Sequence, residues 1–391
     1  MGSALPEDVL FEIFMRLPVK SLLRFKSACK TWYALIESSD FIYRHANMTD
    51  YKSKLGTLIC QFDTSDQFFV LSGDESLEVF EDLGNGPCFN KAYSDDPPRR
   101  EMVASCHGII CIRYKKTKDI GLWNPATRQC RILPKPLSYG NLSPRSNSVG
   151  FGLDIVNKDY KVLLVTSFRQ DGWSQSYPLD CVRKVQIYSL RSDSWRWIDG
   201  GNHFPIHCLN HDKGVYLNGN YFMIGLEYFN RTSSSNFDRD KVILSFDFNK
   251  EIFRKFLAPA GADYVRLCPQ LYSVRDKLAC TKSQCTRDGL FFEVWVLNDY
   301  NTKEECWTQL YRFGPLSLVY PFGPFALTRN GEFGFMITSS EVIKVYNFTT
   351  GEIEDPTSCL INTKAKRKNK YIKLDDGFNV YFYKESLVSI Y

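Results

Sequence analysis

The sequence predicts two unlike parts in one chain: a small all-α module over residues 1–48, then an all-β domain over 49–391 built as an irregular β-propeller of about six or seven blades. Three observations lead there. Apolar residues recur at helical spacing in LPEDVLFEIFMRLPVKSLLRFKSACKTWYALIESSDF, residues 5–41. Past residue 50 the texture changes to short strands rich in β-branched and aromatic residues, bounded by Gly, Asn, Asp and Pro. One hairpin pattern then repeats at a period near 50 residues.

The first element begins at Pro6, a residue suited to the first helical position, and Glu7 and Asp8 favour the positive end of a helix. Val9, Leu10, Ile13, Phe14 and Leu17 line one broad face, and Pro18 ends the helix. Ser21 is placed to cap a second segment, where Leu22, Phe25, Cys29, Trp32 and Ile36 alternate steps of three and four, widened by Leu23 and Leu35. The reading is three helices in about 40 residues, too few to bury a self-sufficient core. Their apolar faces are expected to dock either on the rest of this chain or on another protein.

In the β part, GLWNPATRQCRIL, QIYSLRSDSWRWI, LSFDFNKEIFRKF, EVWVLNDYNTKEECWTQL and KVYNFTTGEIEDP share a plan: an aromatic ends one strand, a polar turn follows, a second strand returns. The leading aromatics are Trp123, Tyr188, Phe246, Trp295 and Tyr346, separated by 65, 58, 49 and 51 residues. Seven places later stand Cys130, Trp195, Phe253 and Ile353, while a longer turn delays the equivalent Trp307. GIICIRY, YKVLLV and GVYLNGNYFMI supply further strands, and FFVLSGDESLEVF is a hairpin of the first blade. NVYFYKESLVSIY is expected to pair with that first blade and close the ring. A β-sandwich or two smaller barrels are the alternatives, since any antiparallel domain supplies similar hairpins.

Composition narrows the function. The chain has 391 residues, 44% hydrophobic and 24% charged, as expected of a folded globular protein. A net charge of +5 is far from the basic footprint of a nucleic-acid binder. No stretch approaches the roughly 20 apolar residues of a membrane span, and no secretory leader is visible, so the cytosol or nucleus is expected. Gly2 is followed by Pro6 where a myristoylation signal has Ser or Thr. Thirteen scattered cysteines, Cys106 and Cys111 among them, read as small buried hydrophobes in a reducing compartment.

No nucleophile elbow, Walker loop or kinase signature occurs, so no catalytic residue is assigned and no cofactor is expected. His203, His207, Cys208 and His211 cluster in NHFPIHCLNH, but their spacing matches no usual zinc arrangement and a polar loop is favoured. The run 364–370, KAKRKNK, reads as a solvated loop before it reads as a nuclear signal.

The segment 5–41 resembles an F-box, the helical motif that inserts into the Skp-type adaptor of SCF ubiquitin ligases; Leu5-Pro6, Ile13, RLPVKSLLRF, Cys29-Lys30, Trp32, Leu35-Ile36 and Phe41 fall in order without a gap. The resemblance implies that Leu5, Pro6, Ile13, Leu17, Pro18, Leu22 and Leu23 meet the adaptor, with Cys29, Trp32 and Leu35 fixing the helices or sharing the contact. VQIYSLRSDSWRWI, VGFGLDIVNKDYKVLLV, ILSFDFNKEIFRKFLAP, FEVWVLND with Trp307, and YKESLVSIY resemble the F-box-associated interaction domain of plant F-box proteins, a class that includes the S-locus members of pollen. His107 and Met223 depart from it, where Asn or Asp and Trp are usual. The resemblance implies a non-catalytic specificity subunit that reaches cullin and RING subunit through the adaptor and holds a protein target, a pistil ribonuclease being one S-locus-type case. Target choice is expected in 135–147, 168–180, 200–211 and 230–240, with Arg169, Trp173, Tyr177, His203, His207 and Arg231 as contact candidates. The rival readings are a ligase-independent scaffold and a metal-binding propeller enzyme.

Overall fold

The computed structural model of the chain describes residues 5–47, 57–62, 67–72, 79–84, 86, 100–114, 117–169, 181–198, 208–209, 214–229, 238–259, 270–299, 306–316, 322–328, 330–337, 343–354 and 378–391. Four helices come first: α1 (Glu7–Met15), α2 (Val19–Phe25), α3 (Lys30–Glu37) and α4 (Ser39–Asn47). The fourth is absent from the three-helix reading. Its start lies in ESSDF, where extended Ser38 accepts from the Phe41 amide at 3.3 Å and Asp40 sits in the first turn. Pro6 and Pro18 are the extended residues just before α1 and α2, so Ser21 lies inside α2 rather than capping it.

Among the described residues six antiparallel sheets follow. Blade I combines strands of 57–84 with Phe378–Tyr383; blades II to VI occupy 100–132, 144–197, 208–257, 270–316 and 322–354. Phe378–Tyr383 pairs antiparallel with Thr57–Phe62, from Thr57 opposite Tyr383 to Phe62 opposite Phe378. The edge expected to be closed by the last strand is closed by it. Contacts run from Phe378–Tyr383 to Arg100–Cys106, Pro144–Asp154, Asn220–Phe229 with Val215–Leu217, Gln270–Val274, Phe322–Leu327 and back. The sheets therefore form a ring with these strands nearest the axis, and blade IV is irregular because Cys208–Leu209 and Val215–Leu217 both pair with Asn220–Phe229.

The repeated aromatic pattern is the outer hairpin of the blades. Trp123 stands directly opposite Cys130, Tyr188 opposite Trp195, Phe246 opposite Phe253, and Tyr346 opposite Ile353. The residue after the aromatic organises each turn: Asn124 accepts from the Ala126 and Thr127 amides, Asp247 from Asn249 and Lys250, Asn347 from Thr349 and Thr350, and Ser189 from Ser192. Five places after the aromatic the backbone turns left-handed, at Arg128, Asp193, Glu251 and Gly351. Blade V differs: Trp307 faces Leu297, and Trp295 faces Gln309 across a bulge.

Buried side chains fill the spaces between blades. Phe68, Met102, Ile112, Trp123 and Tyr383 join blades I and II. Phe222, Ile243, Leu271, Leu278 and Leu297 join IV and V, and Phe292, Phe313 and Leu327 join V and VI. Cys106, Cys111 and Met223 belong to the largest cluster, across blades II to IV, so both thiols are buried hydrophobes and burial raises their pKa.

Inner hairpins use two-residue turns with both residues at positive φ: His107-Gly108, Asn218-Gly219 and Arg275-Asp276. At Gly108, with φ +77°, an added Cβ would stand 2.4 Å from the Lys384 carbonyl oxygen and 2.6 Å from Ser386 Cβ. Gly108→Ala is expected to lower stability by about 2 kcal/mol or more, through backbone strain plus displacement of that neighbouring segment. Chemical denaturation of the full chain checks this, with Gly140→Ala, equally left-handed but in open space, as the control for strain alone.

Candidate functional site

Two surfaces are candidates, and the helical module owns the first. Its core is Phe14, Met15, Val19, Leu22, Ile36 and Phe41. Phe14 meets Trp32 edge-on at 5.1 Å between ring centroids, Phe11 meets Phe41 at 5.3 Å, and His45 Nε2 bonds the Leu17 carbonyl at 3.0 Å, tying α4 to the end of α1. The broad apolar face expected on α1 divides. Leu10, Phe14 and Leu17 turn inward, whereas Leu5, Val9 and Ile13, four residues apart, stay 55%, 40% and 43% exposed. Val9 and Ile13 lie one turn apart on α1 and are open to solvent, Leu5 stands open just before the helix, and Tyr33 of α3 is half open.

The residues assigned to adaptor contact fall into three settings. Leu5, Pro6, Ile13, Pro18 and Cys29 are exposed. Leu17, Leu23, Trp32 and Leu35 are partly buried against the module core. Leu22 is wholly enclosed there, so its place in the free chain is inside the bundle that holds the helices together. Cys29 also begins α3, its sulfur accepting from the Trp32 amide at 3.5 Å. Val9 and Tyr33 are exposed as well, and neither was assigned from the sequence; the i, i+4 spacing of Val9 and Ile13 was the available signal.

The opposite side of the module rests on the ring. Ile42, Tyr43 and Ala46 of α4 pack against the cluster of blades II to IV, joined by Val388 and Ile390, while Leu387 is part of the module core. Lys384 donates to the carbonyls of His45 and Ala46 at 2.9 and 3.1 Å, satisfying the end of α4 with a cation at its negative pole. Asn124, fully buried, donates to the carbonyls of Ser386 and Val388 at 3.0 and 2.8 Å. Segment 384–391 thus runs between module and blade II. Docking on this chain and an open face coexist, where the sequence posed them as alternatives.

Beside that junction His107 packs edge-on to Tyr160 and Tyr216, with Nδ1 3.4 Å from the Tyr160 hydroxyl. Burial, with the Lys384 charge second, lowers its pKa from 6.5 to about 4. A left-handed turn position tolerates His much as it does Asn or Asp.

The second surface is the far side of the ring. Successive strands alternate in direction, so every second connection lies on the same face. The module's face carries the turns 107–108, 125–128, 155–158, 190–193, 218–219, 248–251 and 275–276. The opposite face carries residues 133–143 and the strand ends Ile132, Arg169, Cys181, Trp197, Phe229 and Asp238, which border or overlap the four segments expected to choose a target. Of the target-contact candidates, Arg169 ends strand Asp159–Arg169, which pairs with Cys181–Ser189; Trp173, Tyr177, His203, His207 and Arg231 lie outside the described residues. The basic run 364–370 and His211 also lie outside them, and among the described residues no cluster of His, Cys, Asp or Glu is arranged for a metal. Residues 135–143 are described: Gln186 exchanges hydrogen bonds with the main chain of Leu137, Trp195 Nε1 donates to Pro134, and Tyr139 bonds Thr166, so this connection is pinned to blade III.

A helical module with an apolar face open, seated on one face of a β-propeller, is an architecture with two separate surfaces. The F-box domain model matches residues 3–44 and the F-box associated beta propeller domain model matches residues 58–390. The chain belongs to the family of proteins that carry this F-box associated propeller. Its relatives include an F-box/kelch-repeat protein of Arabidopsis thaliana, 27% identical over 76% of each chain, and a putative F-box protein of the same plant, 30% identical over 68% of this chain and 65% of that one. The Arabidopsis F-box protein CPR1 is 26% identical over 79% of this chain and 73% of its own.

Two outcomes follow from this geometry. Leu22→Asp is expected to unfold the module, because it places an unpaired carboxylate in a closed apolar core, whereas Ile13→Asp leaves its helices intact; helical circular dichroism separates the two. The neutral His107 ring makes folding stability pH-dependent. The unfolded chain takes up this proton near pH 6.5 and the folded chain only near pH 4, so stability is retained above the first value and lost as pH falls through the second. Between pH 7 and pH 5 the wild type is expected to lose about 2 kcal/mol more than His107→Asn, measured by urea denaturation at both pH values.

Proposed function

We propose that this chain is the substrate-recognition subunit of an SCF ubiquitin ligase, anchored to a Skp-type adaptor by the helical module and holding a protein target on the propeller face opposite that module. The observation that carries the reading is the apolar face of α1 at Val9 and Ile13, with Leu5 just before the helix, open to solvent on a module whose other side is already committed to the ring. An open apolar face on a short helix is suited to lie in the groove of a helical partner. Cullin and RING subunit join through the adaptor and carry the transfer chemistry, so the chain itself makes and breaks no bond. Its contribution is proximity: a target held on one face keeps its lysines near the ubiquitin donor and raises their effective concentration. The protein works in the cytosol or nucleus, where the partner subunits are. A pistil ribonuclease as target rests on the S-locus resemblance alone.

The test is adaptor binding by purified full-length chain. Ile13→Asp is expected to weaken the complex by at least about 30-fold, an interfacial loss of about 2 kcal/mol or more, with the propeller and helices still folded. Wild-type affinity in that variant, or absence of any complex with the unaltered chain, overturns the reading.

A further inference from the structure

We infer that segment 384–391 is a positioning strap that sets the orientation of the helical module relative to the propeller. Its successive residues are owned by different bodies. Lys384 holds the last carbonyls of α4, Leu387 is part of the module core, and Val388 and Ile390 belong to the ring cluster. Its main chain is fixed to blade II by Asn124 at two carbonyls and by Arg131 at the Ile390 carbonyl, 3.3 Å away, and the Ile390 amide donates to Gln129 Oε1. Arg131 lies over the Tyr391 ring, whose hydroxyl donates to the Cys130 carbonyl. The direct contacts between module and ring that bypass the strap include the packing of Ile42, Tyr43 and Ala46 on the ring cluster and of Ala126 on the module core; the solvent-side ones, an ion pair of Lys20 with Glu81 and Lys158 over Tyr43, are of a kind that contributes little. Alternating ownership makes the strap a rigid coupler and not a plain tail.

In the ligase reading, on which the purpose of the strap rests, the coupling fixes the gap between the adaptor and the bound target. The experiment measures the coupling without using that reading. The full chain, a chain ending at Tyr383 and the milder Ile390→Ala, on the ring side of the strap, each carry spin labels at exposed Lys30 of α3 and Asp288 of blade V, introduced as unnatural amino acids. Pulsed electron resonance is expected to give one narrow distance in the full chain, a broad distribution in the shortened chain and an intermediate one in Ile390→Ala. Adaptor affinity is expected to change by less than about threefold in Ile390→Ala. An unchanged narrow distance in the shortened chain overturns the inference, and so does loss of adaptor binding in Ile390→Ala, which would make the segment part of the module's own fold. If the unaltered chain binds no adaptor but its distance broadens on shortening, the ligase reading fails and the strap stands.

Discussion

The buried amide of Asn124 donates to two carbonyls of one passing segment, and that pair of hydrogen bonds sits where helical module, blade II and the end of the last strand meet. The same side chain accepts the amides of Ala126 and Thr127 through its oxygen, so one residue both shapes the outer turn of blade II and holds its neighbour. A polar group in such a place is stable because donor and acceptor capacity are both used. Around it the strand Phe378–Tyr383 closes the ring, and the next residues pass directly into contact with α4. Ring closure and module docking are consecutive stretches of one segment.

Much of the ring was legible in the sequence because its repeat obeys local rules. An aromatic, an Asn, Asp or Ser one place later and a return strand seven places on fix a turn without reference to anything distant, and four predicted pairs stand opposite each other as cross-strand partners. Trp307 escaped the register because the outer hairpin of blade V contains a bulge and a longer connection, and a shift of that sort leaves no mark in composition. The closing strand was legible for a topological reason, since an unpaired inner edge in blade I demands a partner.

The site was legible in outline and less so in detail. A helical stripe says which residues are apolar, but not which of two adjoining faces is turned to a partner, and so Leu22 and Ile13 looked equivalent although one is enclosed and the other open. The fourth helix was missed because its cap, Ser38, follows the preceding helix with no intervening loop. The packing of Leu387 into the module joins residues more than 300 positions apart in the chain, a contact that no local period can announce.

The closing strand also carries an implication for synthesis. Residues 378–391 emerge from the ribosome after every other described strand, so until they arrive the first sheet presents a raw margin to neighbouring chains and the helices made earliest lack part of their seat. A nascent chain in that condition is a client for chaperones. A message broken shortly before this stretch would yield an open, adhesive product in place of a slightly shorter protein.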